Sequence, residues 1–323
     1  MKAIVCTKYG PPDVLQLKEV EKPVPKQDEA LVKIQAASLN AADFENMRGV
    51  FVVRIAAPFR PMYRILGTDF SGIIESVGAN VELFQPGDEI WGDLSFPLGS
   101  STFAEYVCIP EDALRPMPAS MTFEQAAAIP TAAVVALQNL RDKSPIQPGQ
   151  KVLINGAGGG VGTFAVQLAK YFGAEVTGVD SGSKLDMLRS IGADHVIDYK
   201  QEDFTKNDHL YDLILDVVAY RSIFTYQRAL EPGGTFVFVG GSTSAIFQAL
   251  LLAPLVTRNG NNKMGLVPWK PNDKEDLEFL TELFEVGKIS PEIDRSYPLS
   301  EVPEAFRYIE GGHAKGKLII TVA

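Results

Sequence analysis

The sequence predicts an α/β protein that combines a doubly wound parallel sheet with a second, barrel-like β domain. The first observation is that residues 1–122 alternate apolar and polar positions in short stretches between Gly and Pro turns, as in ALVKIQA and GIIESVG. Half-buried strands have this pattern. The second is that residues 123–270 alternate helical runs with solid apolar segments such as KVLIN and YDLILDVV. Strands of that composition are buried on both faces of a parallel sheet.

The chain therefore divides into two predicted domains. The β domain covers residues 1–122 and 271–323, because the final segment ends in the apolar strand KGKLIITV, which we expect to return to the first domain. The parallel-sheet domain covers residues 123–270. At 323 residues the chain is long enough to bury two separate cores.

Charge and cysteine content exclude several classes of protein. The net charge of −10 argues against binding the phosphate backbone of a nucleic acid, which requires clustered Lys and Arg. The two cysteines, Cys6 and Cys108, form no CxxC motif and fit free thiols in a reducing compartment. The N-terminal residues lack the apolar run of a signal peptide, and the longest apolar stretch, residues 245–256, is too short to span a bilayer. We predict a cytoplasmic protein without a membrane or nucleic-acid partner.

The most informative motif is LINGAGGGVGTFAVQLAK at residues 153–170, which packs five glycines into residues 156–162. Glycine in ordered backbone costs roughly 0.5–1 kcal/mol relative to alanine, so the run needs a reason. A β-branched strand precedes the loop, a helical run follows it, and this arrangement can hold a phosphate at the helix N-terminus. The alternative is a glycine-rich packing turn. The motif predicts a dinucleotide site made by these residues: Ala157, Gly159, Gly160, Val161 and Gly162.

Within that loop, Ala157, Gly159 and Gly162 match the glycines of the fingerprint G-x-G-x-x-G, so the first glycine is substituted. A second predicted strand, AEVTGVD, follows at the expected distance and ends at Asp180.

Several separated motifs carry a family resemblance: PVPKQDEALVKI, GTDFSGIIESVGANVELFQPGDEIWG at residues 67–92, and the loop GAGGGVG. Together they resemble the medium-chain dehydrogenase/reductase superfamily over essentially the whole chain. The resemblance implies a GroES-like β domain built from both termini, a central Rossmann domain, and a nicotinamide cofactor. The segments SLNAAD, GTDFSG and GADHVIDY are most similar to the zinc-free quinone oxidoreductase branch.

Zinc-dependent members of that superfamily carry a Cys, a GHE motif and a third ligand further on. This chain has Asn40 in place of the Cys, and it has Thr68 and Asp69 in place of the His and Glu of the GHE motif. The segment AIPTAAVVAL at residues 128–137 contains no side chain that could serve as the third zinc ligand. The sequence thus predicts no metal site. Asn40 and Asp43 are candidate catalytic residues, with Asn40 donating a hydrogen bond to a developing oxyanion or fixing the cofactor. The alternative is that both residues only brace a turn.

The resemblance also implies contacts at the nicotinamide end. Thr131 is expected to touch the nicotinamide. Gly240 and Gly241 end the strand TFVFVGG at the carboxyl edge of the sheet, where ligands of such sheets collect.

The choice of nicotinamide rests on conflicting signals. Asp180 stands where a carboxylate accepts hydrogen bonds from the ribose 2′-hydroxyl of NAD. Yet Ser181, Ser183, Lys184 and Tyr199 stand where related reductases grip the 2′-phosphate of NADPH. Hydrogen bonds to charged groups are worth about 1.5–3 kcal/mol each, so we expect NADPH to be preferred, with NAD as the alternative. A solvated Lys184 and a packing role for Tyr199 are the competing interpretations.

These residues predict an enzyme that transfers a hydride from NAD(P)H to a small-molecule acceptor, either a quinone, an enone or an activated carbonyl. The alternatives are a 2-enoyl-thioester reductase and a nucleotide-binding assembly protein without activity. By analogy with the family, we expect a homodimer that pairs through KMGLV at residues 263–267.

Overall fold

The computed structural model describes residues 1–95, 101–241 and 262–322, together with Gln248 and Leu251. Apart from those two residues, the apolar stretch 245–256 lies outside the described part. The chain forms two compact units. The first unit comprises Met1–Val134, Pro271–Thr281 and Ile293–Ala323, and the second comprises Val135–Lys270 and Glu282–Glu292.

Numbered along the chain, the strands are β1 (Lys2–Cys6), β2 (Leu15–Glu19), β3 (Glu29–Ser38), β4 (Asp69–Val77), β5 (Glu89–Asp93), β6 (Tyr106–Pro110), β7 (Arg115–Pro116), β8 (Lys151–Asn155), β9 (Glu175–Asp180), β10 (His195–Asp198), β11 (Tyr211–Asp216), β12 (Leu230–Phe238), β13 (Lys263–Gly265), β14 (Ile293–Pro298) and β15 (Lys317–Thr321). The α-helices are α1 (Ala41–Arg48), α2 (Phe51–Ala56), α3 (Phe123–Ala128), α4 (Pro130–Arg141), α5 (Gly160–Tyr171), α6 (Leu185–Ser190), α7 (Ile223–Arg228), α8 (Lys274–Glu285) and α9 (Val302–Glu310).

The first unit is built on a seven-stranded sheet in the order β14-β15-β3-β4-β5-β7, with β6 paired to β3. The strand β15 runs antiparallel to β3, so the C-terminal segment does return to the β domain. Its core is a cluster of buried side chains that includes Ile4, Val32, Ile34, Phe70, Phe103 and Phe306. The rings of Phe103 and Phe306 meet edge to face, with centroids 6.3 Å apart.

The register of this sheet places three polar residues in one row. Ser38 at the end of β3 lies opposite Asp69 at the start of β4, and Asp69 lies opposite Asp93 at the end of β5. On the other side of β3, Ser38 pairs with Ile319 of β15. Because side chains alternate along a strand, Lys317 shares a face with Ile319. This register therefore brings the polar ends of β3, β4 and β5 next to one another.

The units do not divide where the sequence analysis placed the boundary, at residue 122. Helix α3 stays with the first unit because Ala127 and Ala128 pack against Ala36 of β3 and Ile319 of β15. Thr122 caps this helix: its hydroxyl accepts the N–H of Gln125, and the Gln125 side chain accepts the N–H of Thr122.

The second boundary also differs, because residues 282–292 join the second unit rather than the β domain. The Gln167 side chain of α5 exchanges two hydrogen bonds with the backbone of Ser290, at 2.9 and 2.8 Å, and this ties the segment to the second unit.

The second unit confirms the predicted doubly wound parallel sheet. Its six strands are all parallel and follow the order β10-β9-β8-β11-β12-β13. In such sheets, ligands bind at the carboxyl ends of the strands near the point where the strand order reverses, here between β8 and β11. The strand interiors are apolar. The ring of Tyr226 on α7 stacks on the ring of Phe236 on β12, with the two ring centroids 4.3 Å apart. No helix in the described ranges combines the length and the apolar character needed to cross a bilayer.

Candidate active and nucleotide-binding site

The glycine loop connects the end of β8 to helix α5 in a conformation that few other residues permit. Gly156 has a φ of +80°, which favours glycine, and the N–H groups of Gly156 and Ala157 both donate to the carbonyl oxygen of Val179 on β9. Gly159 caps α5 with extended backbone. The first N–H groups of this twelve-residue helix therefore follow the loop directly, as in phosphate-binding sites.

The glycines of the loop have different roles. A Cβ at Gly162 would lie only 2.2 Å from the carbonyl oxygen of Gly156, so this glycine is needed for close packing of the helix start. A Cβ at Gly159 would meet only that same oxygen, at an ordinary 3.6 Å, so this side of the loop is open to a ligand. At the substituted first position the Ala157 side chain is fully buried beside Gly178 of β9, where a Cβ would lie 3.4 Å from the Ala157 Cβ. These residues fit a pyrophosphate.

The end of β9 brings the predicted ribose and phosphate residues together. The Asp180 carboxylate accepts the N–H groups of Gly158 and Ser181, each at 2.8 Å. Lys184 lies 3.3 Å from the same carboxylate and is only 7% exposed, which is at odds with the interpretation of a solvated lysine. The predicted anionic and cationic groups thus form an ion pair.

Two hydroxyls and an exposed ring surround this pair. The hydroxyls of Ser181 and Ser183 lie 3.3 Å apart. The backbone N–H of Tyr199 donates to the carbonyl oxygen of Asp180, and its side chain is exposed. All five predicted residues therefore meet at the carboxyl ends of β9 and β10.

Gly240 and Gly241 follow the end of β12. Gly241 forms a β-bridge with Ala219, and a Cβ there would lie 2.0 Å from the Ala219 carbonyl oxygen. At Gly240, a Cβ would approach only the Val217 carbonyl oxygen, at 3.3 Å. Gly241 is thus required by the close approach of two backbone segments at the carboxyl edge.

The first unit holds a buried polar cluster around Asp69, which we call the Asp69 cluster. Its members are Ser38, Asn40, Thr68, Asp69, Thr131 and Lys317, all less than 9% exposed. One oxygen of Asp69 accepts the Ser38 hydroxyl at 2.7 Å and the Asn40 amide at 2.9 Å, and lies 3.4 Å from the Lys317 ammonium. The other oxygen accepts both the N–H and the hydroxyl of Thr131, at 3.0 and 2.6 Å.

The two predicted catalytic residues have different surroundings. The Asn40 side chain lies inside the Asp69 cluster, where its amide nitrogen donates to Thr68 as well as Asp69 and its oxygen accepts from Lys317. Asp43 instead accepts two backbone N–H groups, those of Asn40 and Gly67, each at 2.9 Å. Burial raises the pKa of Asp43 to about 7. These contacts of Asp43 are those of a turn brace, the alternative that the sequence left open.

Sequence reasoning missed Lys317 and Asp93. Lys317 opens the apolar strand β15, where a lysine is usually read as an exposed strand end, yet it is 2% exposed. Asp93 uses one oxygen to accept the N–H and hydroxyl of Ser95, while its other oxygen is buried and has no hydrogen-bond partner among the residues that the structure describes. Burial, and then the charge of Asp69, raise the pKa of Asp93 to about 7. The available signal was an acidic residue directly after the buried run IWG, residues 90–92.

Comparison with known proteins gives two family matches. The family described as "Alcohol dehydrogenase GroES-like domain" matches residues 26–119, and "Zinc-binding dehydrogenase" matches residues 191–320. A 2-methylene-furan-3-one reductase of Solanum lycopersicum is 35% identical over 99% of this chain and 79% of its own length. The mitochondrial NAD(P)H oxidoreductase RTN4IP1 of Homo sapiens is 33% identical over 100% of this chain and 89% of its own.

The chain belongs to the medium-chain dehydrogenase/reductase superfamily. It is an NAD(P)H oxidoreductase of that superfamily. The structure of the quinone oxidoreductase from Coxiella burnetii superimposes with a TM-score of 0.90 at 32% identity and covers 100% of this chain and 99% of its own. The range matched as a zinc-binding dehydrogenase, residues 191–320, does not include Asn40, Thr68 or Asp69. No group of three His, Cys, Asp or Glu side chains suited to a metal ion occurs among the residues that the structure describes.

The two loop glycines should respond differently to the same change. Gly162→Ala forces a Cβ against backbone and should lower the free energy of unfolding by roughly 1–3 kcal/mol. Gly159→Ala should unfold at the wild-type temperature but bind nicotinamide nucleotide at least about tenfold more weakly, since its methyl group projects into the open side of the loop. Thermal unfolding and fluorescence titration of each variant measure the two effects. Equal losses of stability in both variants would contradict these roles.

Asp93 should make stability depend on pH. Its pKa is about 7 in the folded protein and 3.8 is the ordinary value, so the folded state binds more protons between those values and the free energy of unfolding falls as pH rises from about 4 to about 7. Asp93→Asn removes this contribution. Urea unfolding should show that the free energy of unfolding of the variant, relative to that of the wild type, rises by up to about 4 kcal/mol between about pH 4 and about pH 8. Parallel pH curves would show that Asp93 does not titrate in this range.

Proposed function

We propose that this oxidoreductase reduces small molecules in which a carbonyl is conjugated to a C=C bond, namely enones and quinones, with NADPH as reductant. The observation that carries the proposal is the glycine loop on a doubly wound sheet combined with the Asp69 cluster at the positions where zinc ligands stand in other members. The relative from Solanum lycopersicum is named for reduction of a 2-methylene-furan-3-one, and the Coxiella burnetii structure is described as a quinone oxidoreductase. Both acceptor classes contain the unit C=C–C=O.

A reduced nicotinamide, when bound, supplies a hydride. The protein's own contribution is to bind and orient. The Gly158–Gly162 loop and the start of α5 would hold the pyrophosphate, and the residues at the end of β9 would hold the adenosine ribose. When a conjugated acceptor takes a hydride at one carbon of its C=C bond, the electron pair of that bond moves to the carbonyl oxygen. A hydrogen-bond donor at this oxygen stabilises the developing negative charge and so lowers the barrier to hydride transfer. The acceptor's conjugation spreads the charge, and solvent supplies the proton.

We propose that the reaction needs no zinc. Asn40 donates hydrogen bonds to both Thr68 and Asp69, and the Lys317 ammonium already lies 2.7 Å from the Asn40 oxygen and 3.4 Å from an Asp69 oxygen. An amide, a hydroxyl and a single carboxylate that is paired with a lysine form a poor zinc ligand set.

The homodimer and the cytoplasmic location stay predictions. The strand β13, which contains the first part of KMGLV, pairs with β12 on one side, and a second copy would extend this sheet. The human relative is a mitochondrial protein by name.

An acceptor screen tests the proposed function. Purified protein should oxidise NADPH with short-chain enones and with quinones, and should show little turnover with saturated aldehydes or with alcohols and NADP. Crotonyl thioesters serve as the matched comparison, because they carry the same C=C–C=O unit on a long carrier. Faster turnover with the thioester would favour a 2-enoyl-thioester reductase. Tight nucleotide binding without turnover of any acceptor would favour a non-catalytic role.

We propose NADPH over NADH because Asp180 does not present a free charge to the 2′-phosphate. Two backbone N–H groups and Lys184 compensate its carboxylate. Ser181 and Ser183 offer two hydroxyl groups 3.3 Å apart, and Tyr199 lies next to Asp180 through a backbone hydrogen bond. Lys184→Ala should weaken NADPH binding at least about tenfold and leave NADH nearly unchanged, because it removes a cation and exposes the Asp180 charge. Asp180→Ser should sharpen the NADPH preference by releasing Lys184. Fluorescence titrations with NADPH and NADH measure these affinities. If Lys184→Ala weakens the binding of both nucleotides equally, or if the wild type binds NADH more tightly than NADPH, then Asp180 determines the choice of nucleotide.

A further inference from the structure

Three members of the Asp69 cluster form a directed chain of hydrogen bonds, which begins at Lys317. An ammonium group only donates hydrogen bonds, and Lys317 donates to the side-chain oxygen of Asn40 at 2.7 Å. This contact fixes which end of the Asn40 amide faces β15. Because Lys317 is almost fully buried, water does not compete for the bond.

The Asn40 amide nitrogen then points away from Lys317. It donates to Asp69 at 2.9 Å and to the Thr68 hydroxyl oxygen at 3.2 Å. An amide nitrogen carries two hydrogens, so both are used within the cluster. Asn40 therefore keeps no hydrogen for a ligand in this arrangement, although it was the donor that the sequence suggested.

The Thr68 hydroxyl is the end of the chain. Its oxygen accepts from Asn40, and its own hydrogen meets no acceptor in the described part of the protein. Thr68 is 7% exposed, so water satisfies this donor poorly. Hydrogen bonds in a row polarise one another, and two donors behind Thr68 make its hydroxyl hydrogen a better donor.

We propose that the Thr68 hydroxyl donates a hydrogen bond to the acceptor's carbonyl oxygen, and that Lys317 and Asn40 position it. The proposal rests on the proposed function and names the donor for it. A hydride supplied by the reduced nicotinamide, when bound, would form a C–H bond at the conjugated carbon as the nicotinamide's own C–H bond breaks. The C=C electron pair would move toward the carbonyl oxygen, and Thr68 would stabilise that oxygen until solvent delivers a proton. Thr68 keeps its own proton. Lys317 acts through Asn40 and does not touch the acceptor.

The primary test compares Thr68→Val with Thr68→Ser. Valine has nearly the same shape without the hydroxyl, and serine keeps the hydroxyl. Thr68→Val should lower kcat by about 10²-fold, with KM and NADPH binding changed little, because the lost bond strengthens only as charge develops. Thr68→Ser should recover most of the rate. A Thr68→Val enzyme with near-wild-type kcat, or a Thr68→Ser enzyme as slow as Thr68→Val, would overturn the proposal.

A second test asks whether Lys317 acts through Thr68. Lys317→Met alone leaves the buried Asp69 carboxylate without its cation, so the variant is made together with Asp69→Asn, and Asp69→Asn alone is the control. The double variant should fold, as thermal unfolding shows, yet have a lower kcat than Asp69→Asn, because nothing then fixes the Asn40 amide. Adding Thr68→Val should lower kcat little further, since residues in one chain are not additive. If adding Thr68→Val lowers the kcat of the double variant by a further 10²-fold or so, then Lys317 does not act through Thr68 and has a separate, structural role.

A binding measurement makes the outcome independent of turnover. The probe is 4-nitrophenolate, which carries a negative oxygen conjugated to a ring, titrated by absorbance in the presence of NADP. Thr68→Val should bind it at least about tenfold more weakly than Thr68→Ser, as expected for a lost hydrogen bond to a charged oxygen. Equal binding by the two variants contradicts the proposal even where the enzyme is active. A wild type that turns over no acceptor at all removes the proposed function, and the donor role with it.

Discussion

The first unit depends on the burial of one carboxylate. Asp69 is fully buried and receives donors from the end of β3, the start of α1, the first turn of α4 and the start of β15. A buried charge is tolerated only when it is paired and fully hydrogen-bonded, so these four elements must meet at one point. The same requirement that holds the elements together also fixes the orientation of Asn40 and Thr131. The need to pair the buried Asp69 carboxylate thus stabilises the first unit and also sets the geometry of the polar cluster around it.

Much of the fold could be predicted because it follows from local patterns. The apolar runs of β8, β9 and β11 are buried on both faces, and the glycine loop has a form dictated by backbone conformation, as the positive φ of Gly156 shows. The substituted fingerprint position was harder to judge. Ala157 is buried beside Gly178 of β9, a neighbour that the loop sequence does not reveal. The domain boundary at residue 122 differed for a similar reason, since α3 is held by small side chains on β3 and β15.

The site was predicted less fully because its contacts join residues that are distant in the sequence. Asp180 and Lys184 suggested opposite cofactors when they were considered singly, whereas in the structure each neutralises the other. Lys317 gave only a weak signal because strand ends usually expose their lysines, and its partner Asp69 lies 248 residues away. A lysine at the start of a wholly apolar strand was the only available hint. Charges can be located from sequence, but their pairing depends on the sheet register.

The position of β15 in the chain has a consequence for how the protein is made. The ribosome delivers residues in order, so Asp69 and strands β3 to β7 emerge long before β15, the strand that carries the Lys317 cation. Until then, the last residues of β3 are unpaired on the side that β15 will cover, and the buried Asp69 carboxylate has no counter-charge. Contacts over such separations form late and slowly, and unpaired strand edges invite association in the meantime. The newborn β domain must therefore wait, partly assembled, for the second unit to be synthesised, and it is in this interval that a cell's chaperones would be needed most.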